Sequence, residues 1–347
     1  VANAIAPTID VRLAGAVPDG HVIDCTIDRD IGQPDMATLV LANQGDPYSA
    51  TALGHPLVMS AGGATMFDGE VIALEPSYRG GDRTQIVVRA VNRLHRLARV
   101  RRSMTFTDKT DRDIVGQVAT AAGLELRWQH DTTVTYQHVY HYDQSDLDLV
   151  RARAGRLGCH VWCVGRTLYV QQPRLGDALD IHLSVDADSD GAQLRAFAPR
   201  MSAVGVVGGV TVKGWNPETK QLVVGTAATT RSPLGRVGAA TAAGAIGNAD
   251  AVTVDHPIWS REEADALARA RLQAAALGFI TGEAEITGNP HVELGKTVAI
   301  TANANDDADP FNGRYYIMGV THRHSTRRAG AGFVTTLRLA RDAQGKP

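Results

Sequence analysis

The sequence predicts a mainly β protein in which a small α+β module is inserted between two related β domains. Three observations carry that prediction. One motif occurs twice, once near each end of the chain. Short apolar alternations punctuated by turn residues fill both of those regions. Helix signals instead gather in the middle, with one longer helix further on.

The repeat organises the rest. Its first copy runs through LGHPLVM (Leu53–Met59), FDGEVIALE (Phe67–Glu75) and TQIVVRA (Thr84–Ala90). Its second runs through LGKTVAI (Leu294–Ile300), FNGRYYIMGV (Phe311–Val320) and FVTTLRL (Phe333–Leu339). Each copy has Leu-Gly, a short apolar run, Phe-Asp/Asn-Gly, a second apolar run, a polar turn and a strand holding an arginine. The interval from Gly54 to Gly69 is 15 residues and that from Gly295 to Gly313 is 18. The period is far too long for a solenoid, so the copies read as two related domains in one chain.

From the N-terminus, period-two alternation puts Ile9, Val11 and Leu13 on one face of a half-buried strand. Pro18-Asp19-Gly20 and Gln44-Gly45-Asp46-Pro47 are turn chemistry between further strands. Arg89–Arg102 then holds six arginines and no acid. Without interleaved aromatics it reads as a strand end and turn whose arginines face water or neighbouring carboxylates, and as a possible contact with an acidic partner.

The period changes next. Thr110 with Asp113 is a capping box opening a helix that carries Ile114, Val115, Val118 and Ala122 on one face and stops at Gly123. Ser145 with Asp148 opens a second, burying Leu147, Val150, Ala154 and Leu157 and stopping at Gly158. Cys159–Gln172 reads as a hairpin turning at Gly165. From about Asp190 strands return, in Val204–Trp215 and Lys220–Thr226. Arg231–Asp250, rich in Ala and Gly and without a period, reads as a loop that is mobile or ordered only by a partner. A long helix starts at Ser260, with Glu263 completing a capping box, and runs to Leu277 before Gly278. Its Ala- and Leu-rich side should lie on a sheet, with Arg261, Glu262, Asp265, Arg269 and Arg271 outward.

Composition narrows the function classes. A net charge of -2 gives no reason to expect nucleic-acid or membrane-surface binding. Three cysteines cannot build a disulfide framework, which points to assembly in a reducing compartment. No apolar run approaches the length of a membrane span, and no leader is evident, so no membrane insertion is expected. Cys159 and Cys163 lie four apart on a strand, about 13 Å along it, too far to share one zinc ion. His322 and His324 share a strand face but lack a second ligand cluster, and read as surface or interface histidines. Asp306, Asp307 and Asp309 lack EF-hand spacing. Gly-x-Ser-x-Gly, His-Glu-x-x-His and Walker motifs are absent from the sequence. No catalytic, cofactor-binding or metal-ligating residue is assigned, no cofactor is expected, and the protein is not read as an enzyme.

A family resemblance follows from three stretches taken in order. MFDGEVIALEP (Met66–Pro76) with NRLHRL (Asn92–Leu97), then DQSDLDLVRARAGRLGCHVWCVGRTLYV (Asp143–Val170), then FNGRYYIMGVTHRHS with GFVTTLRLAR (Phe311–Arg341) resemble the phage late control protein D and VgrG-type baseplate hubs of contractile tails and contractile injection systems. The resemblance runs from about residue 8 to 341.

It implies a structural hub of a phage tail or injection particle, assembled in the bacterial cytoplasm. Two tail-tube-like β-barrel domains would flank the module: residues 1–102 for the first, 103–190 for the insert, 191–341 for the second with its long helix, and 342–347 as a linker or tail. Three copies would form a pseudo-sixfold ring joining a hexameric inner tube to a trimeric spike, with baseplate wedge proteins around it. Gly54, Phe67, Gly69, Ser145, Asp148, Gly158, Gly295, Phe311 and Gly313 carry the structural motif, and Arg93, Arg96, Arg99, Arg101 and Arg102 are candidate interface residues. Fused relatives continue into an OB-fold and a β-helical spike, whereas this sequence stops at Pro347, so the spike is expected as a separate chain or in a longer product. The rival readings are a tail-tip cell-wall hydrolase and a monomeric glycan-binding β protein.

Overall fold

The computed structural model describes residues 8–78, 84–131, 134–185, 194–229, 231–247, 250–255, 257–326 and 332–347. The boundary expected at 190/191 and the end of the 231–250 segment lie partly outside them.

Strands β1 (Ile9–Leu13), β2 (Val22–Asp30), β3 (Met36–Ala42), β4 (Pro56–Ala61), β5 (Ala64–Ser77) and β6 (Gln85–Asn92) come first. Their alternation is visible in burial: Ile9, Val11 and Leu13 are buried and the residues between them exposed. Their inward side chains form one core with Leu39, Leu41, Leu57, Met59 and Phe67 at its centre.

The insert runs β7 (Arg101–Thr110), α1 (Asp111–Ala121), β8 (Glu125–Gln129), β9 (Thr135–Ser145), α2 (Asp146–Arg156), β10 (His160–Val164) and β11 (Thr167–Gln171). Both helices begin with reciprocal capping boxes, Thr110 with Asp113 and Ser145 with Asp148. Both end at glycines with positive φ, +73° at Gly123 and +67° at Gly158. A second core, from Leu94 to Val170 in sequence, fills the space between the helices and the two small sheets β7·β9 and β10-β11-β8. Cys159 and Cys163 are buried in it, and burial pushes both thiols up to about 12.

The remaining elements are β12 (Ala178–Ser184), β13 (Leu194–Met201), β14 (Gly209–Asn216), β15 (Gln221–Ala228), β16 (Val237–Gly238), α3 (Ala239–Ala243), β17 (Asp250–Val254), α4 (Arg261–Leu277), β18 (Ile280–Thr287), β19 (Thr297–Thr301), β20 (Gly313–Ser325), β21 (Phe333–Arg341) and β22 (Ala343–Gln344). A large sheet takes strands from both ends of the chain in the order β1-β4-β5-β6-β3-β2-β20-β21-β18-β13, with β12 and β19 continuing from β20. The fold is therefore mainly β, with two related strand units around an α+β module.

Helix α4 lies on the three-stranded sheet β15-β14-β17, burying Ala264, Leu267, Ala268 and Leu272 against Val210 and Val212. The close approach depends on Gly225, where a Cβ would come within 2.3 Å of the Ala264 backbone. Ser260 caps α4 by accepting from the Glu263 N–H, but the Glu263 carboxylate accepts from Trp259 N–H at 2.8 Å, so the capping box is only half formed. The reason is a competing demand on Glu263, which is buried and also takes hydrogen bonds from Arg156 and Tyr136 of the insert.

Two expectations are corrected here. The described part of Arg231–Asp250 is not a loop waiting for a partner: Leu234 is fully buried, β16 pairs with β22, and α3 packs beside them. Residues 342–345 are not a linker either, because Ala343 is buried and Gly345 donates to Pro310 O. Arg341 explains both. Its buried guanidinium has no carboxylate but donates to the carbonyls of Leu234 (2.9 Å), Pro310 (3.2 Å), Asn312 (3.1 Å) and Gly345, and its Cζ lies 4.9 Å from the Tyr315 ring centroid. One side chain thus gathers three loops that have no helical or strand period to predict them.

His322 is also corrected, from surface to core. It is 1% exposed, shares a 2.9 Å hydrogen bond with Thr335 Oγ1, and burial with the nearby Arg29 charge pushes its pKa down to about 3. Asp35 is shifted the opposite way, up to about 6, by desolvation that outweighs Arg29 and Asn92.

Two predictions follow from this packing. Replacing Arg341 by Met takes a donor from the buried carbonyls of Leu234, Asn312 and Gly345 and should lower unfolding free energy by about 3 kcal/mol in denaturant titration. Lysine should recover less than half of that, since one ammonium cannot reach all three loops. The second concerns pH. His322 is neutral in the fold and protonates in the unfolded chain below about 6.5, so its contribution is complete above that pH and is lost as pH falls towards 3. Asp35 has the reverse sign and gains between about 4 and 6. His322→Gln should therefore flatten the acid-side slope of stability by about 1.4 kcal/mol per pH unit between pH 4.5 and 6, read from denaturant midpoints at each pH.

Candidate assembly interface

The two copies of the repeat align through their hydrogen bonds. Gly54 N–H donates to Val71 O (2.8 Å) and Val71 N–H to His55 O (2.9 Å); Gly295 N–H donates to Ile317 O (3.1 Å) and Ile317 N–H to Lys296 O (2.9 Å). Both glycines have positive φ, +84° and +75°. Immediately afterwards each long strand carries a bulge, between Val71 and Ala73 in β5 and between Ile317 and Gly319 in β20.

From there the registers run in step. Arg89 lies opposite Ala73 as Arg338 lies opposite Gly319. Thr38 pairs with Arg89 and Thr26, as Glu283 pairs with Arg338 and Ala198. Even the outer irregularities coincide, between Val22 and Asp24 and between Leu194 and Ala196. Strands β4-β5-β6-β3-β2 thus correspond to β19-β20-β21-β18-β13. The largest difference lies in one connection. A short turn joins β2 to β3, whereas residues 202–279, with α4 and its sheet, separate β13 from β18.

In this alignment the two Phe-x-Gly segments fall two residues out of step. Gly69 lies opposite Leu57, but the residue opposite Val298, the partner of Leu57 in the repeat, is Tyr315. The glycines answer different local needs. A Cβ on Gly69 would meet Val91 O at 2.4 Å, while one on Gly313 (φ +143°) would meet the Arg341 guanidinium at 2.1 Å. Phe67 is in the first core, and Phe311 is half-buried in the loop before β20. Ser145 and Asp148 cap α2, and Gly158 closes it against Ala270 of α4.

The basic run is largely engaged within the chain. Arg93 pairs with Asp68 (2.8 Å), Arg96 with Glu70, Arg101 with Asp143 (3.1 Å) and Arg102 with Asp146. The first two hold the turn after β6 to β5, and the last two hold β7 to β9 and to the start of α2. Arg99 is exposed. Among the candidate interface arginines, then, most are already neutralised by carboxylates that only the fold brings near.

What the residues alone did not mark is the junction between the copies. β2 pairs antiparallel with β20 from Asp24 opposite Ser325 to Asp30 opposite Gly319. On its inner face Cys25, Ile27, Val320 and His322 are at most 1% exposed, and Phe333 of β21 joins the first core. On the outer face Thr321 Oγ1 donates to Asp28 (2.9 Å) and Arg338 pairs with Asp30.

Among the described residues the large sheet leaves outer edges without a partner strand at β1, β12 and β13, and along β5 beyond Val71 on the side away from β6; of these, β13 and that part of β5 correspond in the repeat to β2 and β20, which are joined within the chain. Elsewhere the outer face of β15-β14-β17 exposes Trp215, Leu222, Val252 and Val254. A cleft of about 610 Å³ beside α3 and α4 is lined by Arg231, Arg236 and Arg269. No group of three or more His, Cys, Asp or Glu among the described residues could hold a metal ion.

Comparison with solved structures agrees with this architecture. A 43 kDa tail protein of prophage MuSo2 from Shewanella oneidensis matches with a TM-score of 0.69 at 16% identity, covering 97% of this chain and 99% of that one. The tail protein from Neisseria meningitidis matches with a TM-score of 0.71 at 13% identity, over 99% of this chain and 100% of that one. An Escherichia coli component of the type VI secretion system, itself described as similar in structure to bacteriophage T4 tail proteins, matches with a TM-score of 0.62 at 11% identity over 97% of this chain and 75% of that one. At these identities the likeness is one of fold. No curated protein sequence matches the chain. The family model that does match is the Alg8 N-terminal domain, aligned over residues 59–326, and the chain belongs to that family.

Proposed function

We propose that this chain is a structural baseplate hub of a contractile phage tail or injection particle. Three copies form a pseudo-sixfold ring that joins a hexameric inner tube to a trimeric spike. The observation that carries this reading is the duplication: two copies of one five-strand unit lie side by side in a single sheet, in the fold of tail and secretion-system proteins. A chain that presents two equivalent units converts threefold symmetry into near-sixfold symmetry, which is what a tube-to-spike adaptor requires.

In this reading residues 1–102 and 191–341 are the ring-forming domains and 103–190 the module between them. The module reaches the long helix and the segment before it through half-buried Arg156, which pairs with buried Glu263 (2.7 Å) and with Asp255 (3.1 Å), so it is carried as a fixed attachment rather than as a tethered domain. Inner tube, spike and baseplate wedge proteins are the partners, and the role is geometric rather than catalytic. The three cysteines fit that role: each thiol is buried and raised to about 12, the opposite of an activated nucleophile.

Native mass spectrometry of the chain, alone and mixed with its tube and spike proteins, tests the hub. The expected species is three times 36.9 kDa. A chain that stays at its single mass in every mixture and at all concentrations would overturn the proposal.

A further inference from the structure

We infer that two of the unpaired edges, the ones that correspond in the repeat to β2 and β20, are made for each other: β13 of one copy adds to the second half of β5 in the next, repeating between chains the β2·β20 junction found within each. The inference uses the hub reading only for the number of copies in the ring. The pairing itself rests on the repeat.

The correspondence specifies a register. β2 matches β13, so Cys25, Ile27, Asp28 and Arg29 match Phe197, Pro199, Arg200 and Met201. β20 matches β5, so Val320, Thr321, His322 and His324 match Leu74, Glu75, Pro76 and Tyr78. Within the chain Ile27 lies opposite His322 and Asp28 opposite Thr321. Between chains this places Phe197 opposite Tyr78, Pro199 opposite Pro76, Arg200 opposite Glu75 and Met201 opposite Leu74.

The chemistry at these positions suits that pairing. At the internal junction Cys25, Ile27, Val320 and His322 are buried almost completely, and Arg29 and His324 partly. At the free edges the matching residues are still apolar, yet Tyr78 is 75% exposed, Pro76 is exposed, and Leu74, Phe197 and Met201 are only partly covered. Apolar side chains held on a core-facing side but left open are what an absent neighbouring strand would cover. On the outer face Arg200 meets Glu75 where Thr321 meets Asp28 internally, so a hydrogen bond is replaced by a pair of opposite charges.

The hydrogen-bond phase adds a distinguishing feature. Thr326 N–H donates to Ile23 O and Ile31 N–H to Met318 O, so Cys25, Ile27 and Arg29 direct their amides at β20. Their counterparts Phe197, Pro199 and Met201 therefore direct theirs at the open edge. Ser202 N–H bonds Phe279 O across the β13·β18 ladder, in agreement with that phase. The central rung thus joins Pro199 to Pro76 with no amide hydrogen on either side, while the rungs on both flanks keep theirs. Proline on an edge makes a poor template for arbitrary strands. Here it makes the inter-chain junction weaker than the internal one, as suits edges that must stay apart until assembly.

Arg200 and Glu75 form the closest kind of cross-strand pair, one that does not exchange backbone hydrogen bonds, and its spacing accepts a disulfide. The double variant Arg200→Cys/Glu75→Cys, oxidised after assembly, should give a covalent closed trimer on a denaturing gel. The native cysteines are buried and do not compete. Arg200→Cys with Ser77→Cys, displaced along the ladder, should give at least ~10-fold less. In an independent measurement without cysteines, Arg200→Glu should weaken association at least ~10-fold, and Arg200→Glu with Glu75→Arg should restore it. A trimer by native mass that neither cross-links through 75 and 200 nor responds to the charge exchange would overturn this pairing and leave the hub standing. A cross-linked ladder of larger multiples would uphold the pairing and overturn the closed ring. Absence of both trimer and cross-link would overturn both.

Discussion

The ladder between β2 and β20 is the constraint on which the rest of the structure depends. It joins strands about 300 residues apart in sequence and makes one sheet out of two copies of the same unit. Closing so long a loop is costly in chain entropy only as the logarithm of its length. A seven-rung ladder with Ile27 and His322 fully buried beneath it can offset that cost. The insert hangs from the end of β6, and α4 with its own small sheet occupies the connection between β13 and β18.

Charge does a different job from apolar packing in this molecule. Exposed pairs such as Arg101–Asp143 contribute little to stability. The pairs that matter for shape have a buried carboxylate: Arg153 with Asp111, Arg156 with Glu263, and Arg29 with Asp35. Each would be expensive to break, because the partner left behind would be an uncompensated charge out of water. They sit where separate cores meet, so they orient the insert, the long helix and the β units against one another, while the leucines, isoleucines and valines within each core supply the driving force. Arg341 extends the pattern by using carbonyls in place of a carboxylate.

The element pattern was legible in the sequence because it is local. Alternation marked β1, the capping boxes marked α1 and α2, and Gly123, Gly158 and Gly165 marked the stops and the hairpin turn. The duplicated Leu-Gly landmark was sound as well, since Gly54 and Gly295 make the same backbone bonds. The Phe-x-Gly landmark was only an echo: its two glycines serve unrelated contacts two positions apart. A motif of three letters can recur for different reasons, whereas a bulge and a shared register cannot easily do so.

By itself, then, the sequence determined a mainly β chain with a duplicated unit and a helical insert, because those properties follow from spacing along the chain. Tertiary structure alone decided the rest. It brought the acids Asp68, Glu70, Asp143 and Asp146 to arginines that had none nearby in sequence. It drew the period-free 231–250 segment onto Arg341, put His322 in the core, and chose which strand edges are joined and which stay open. Those outcomes depend on residues tens to hundreds of positions apart, and burial, ion pairing and strand registry between such residues come into being only when the sheet has formed.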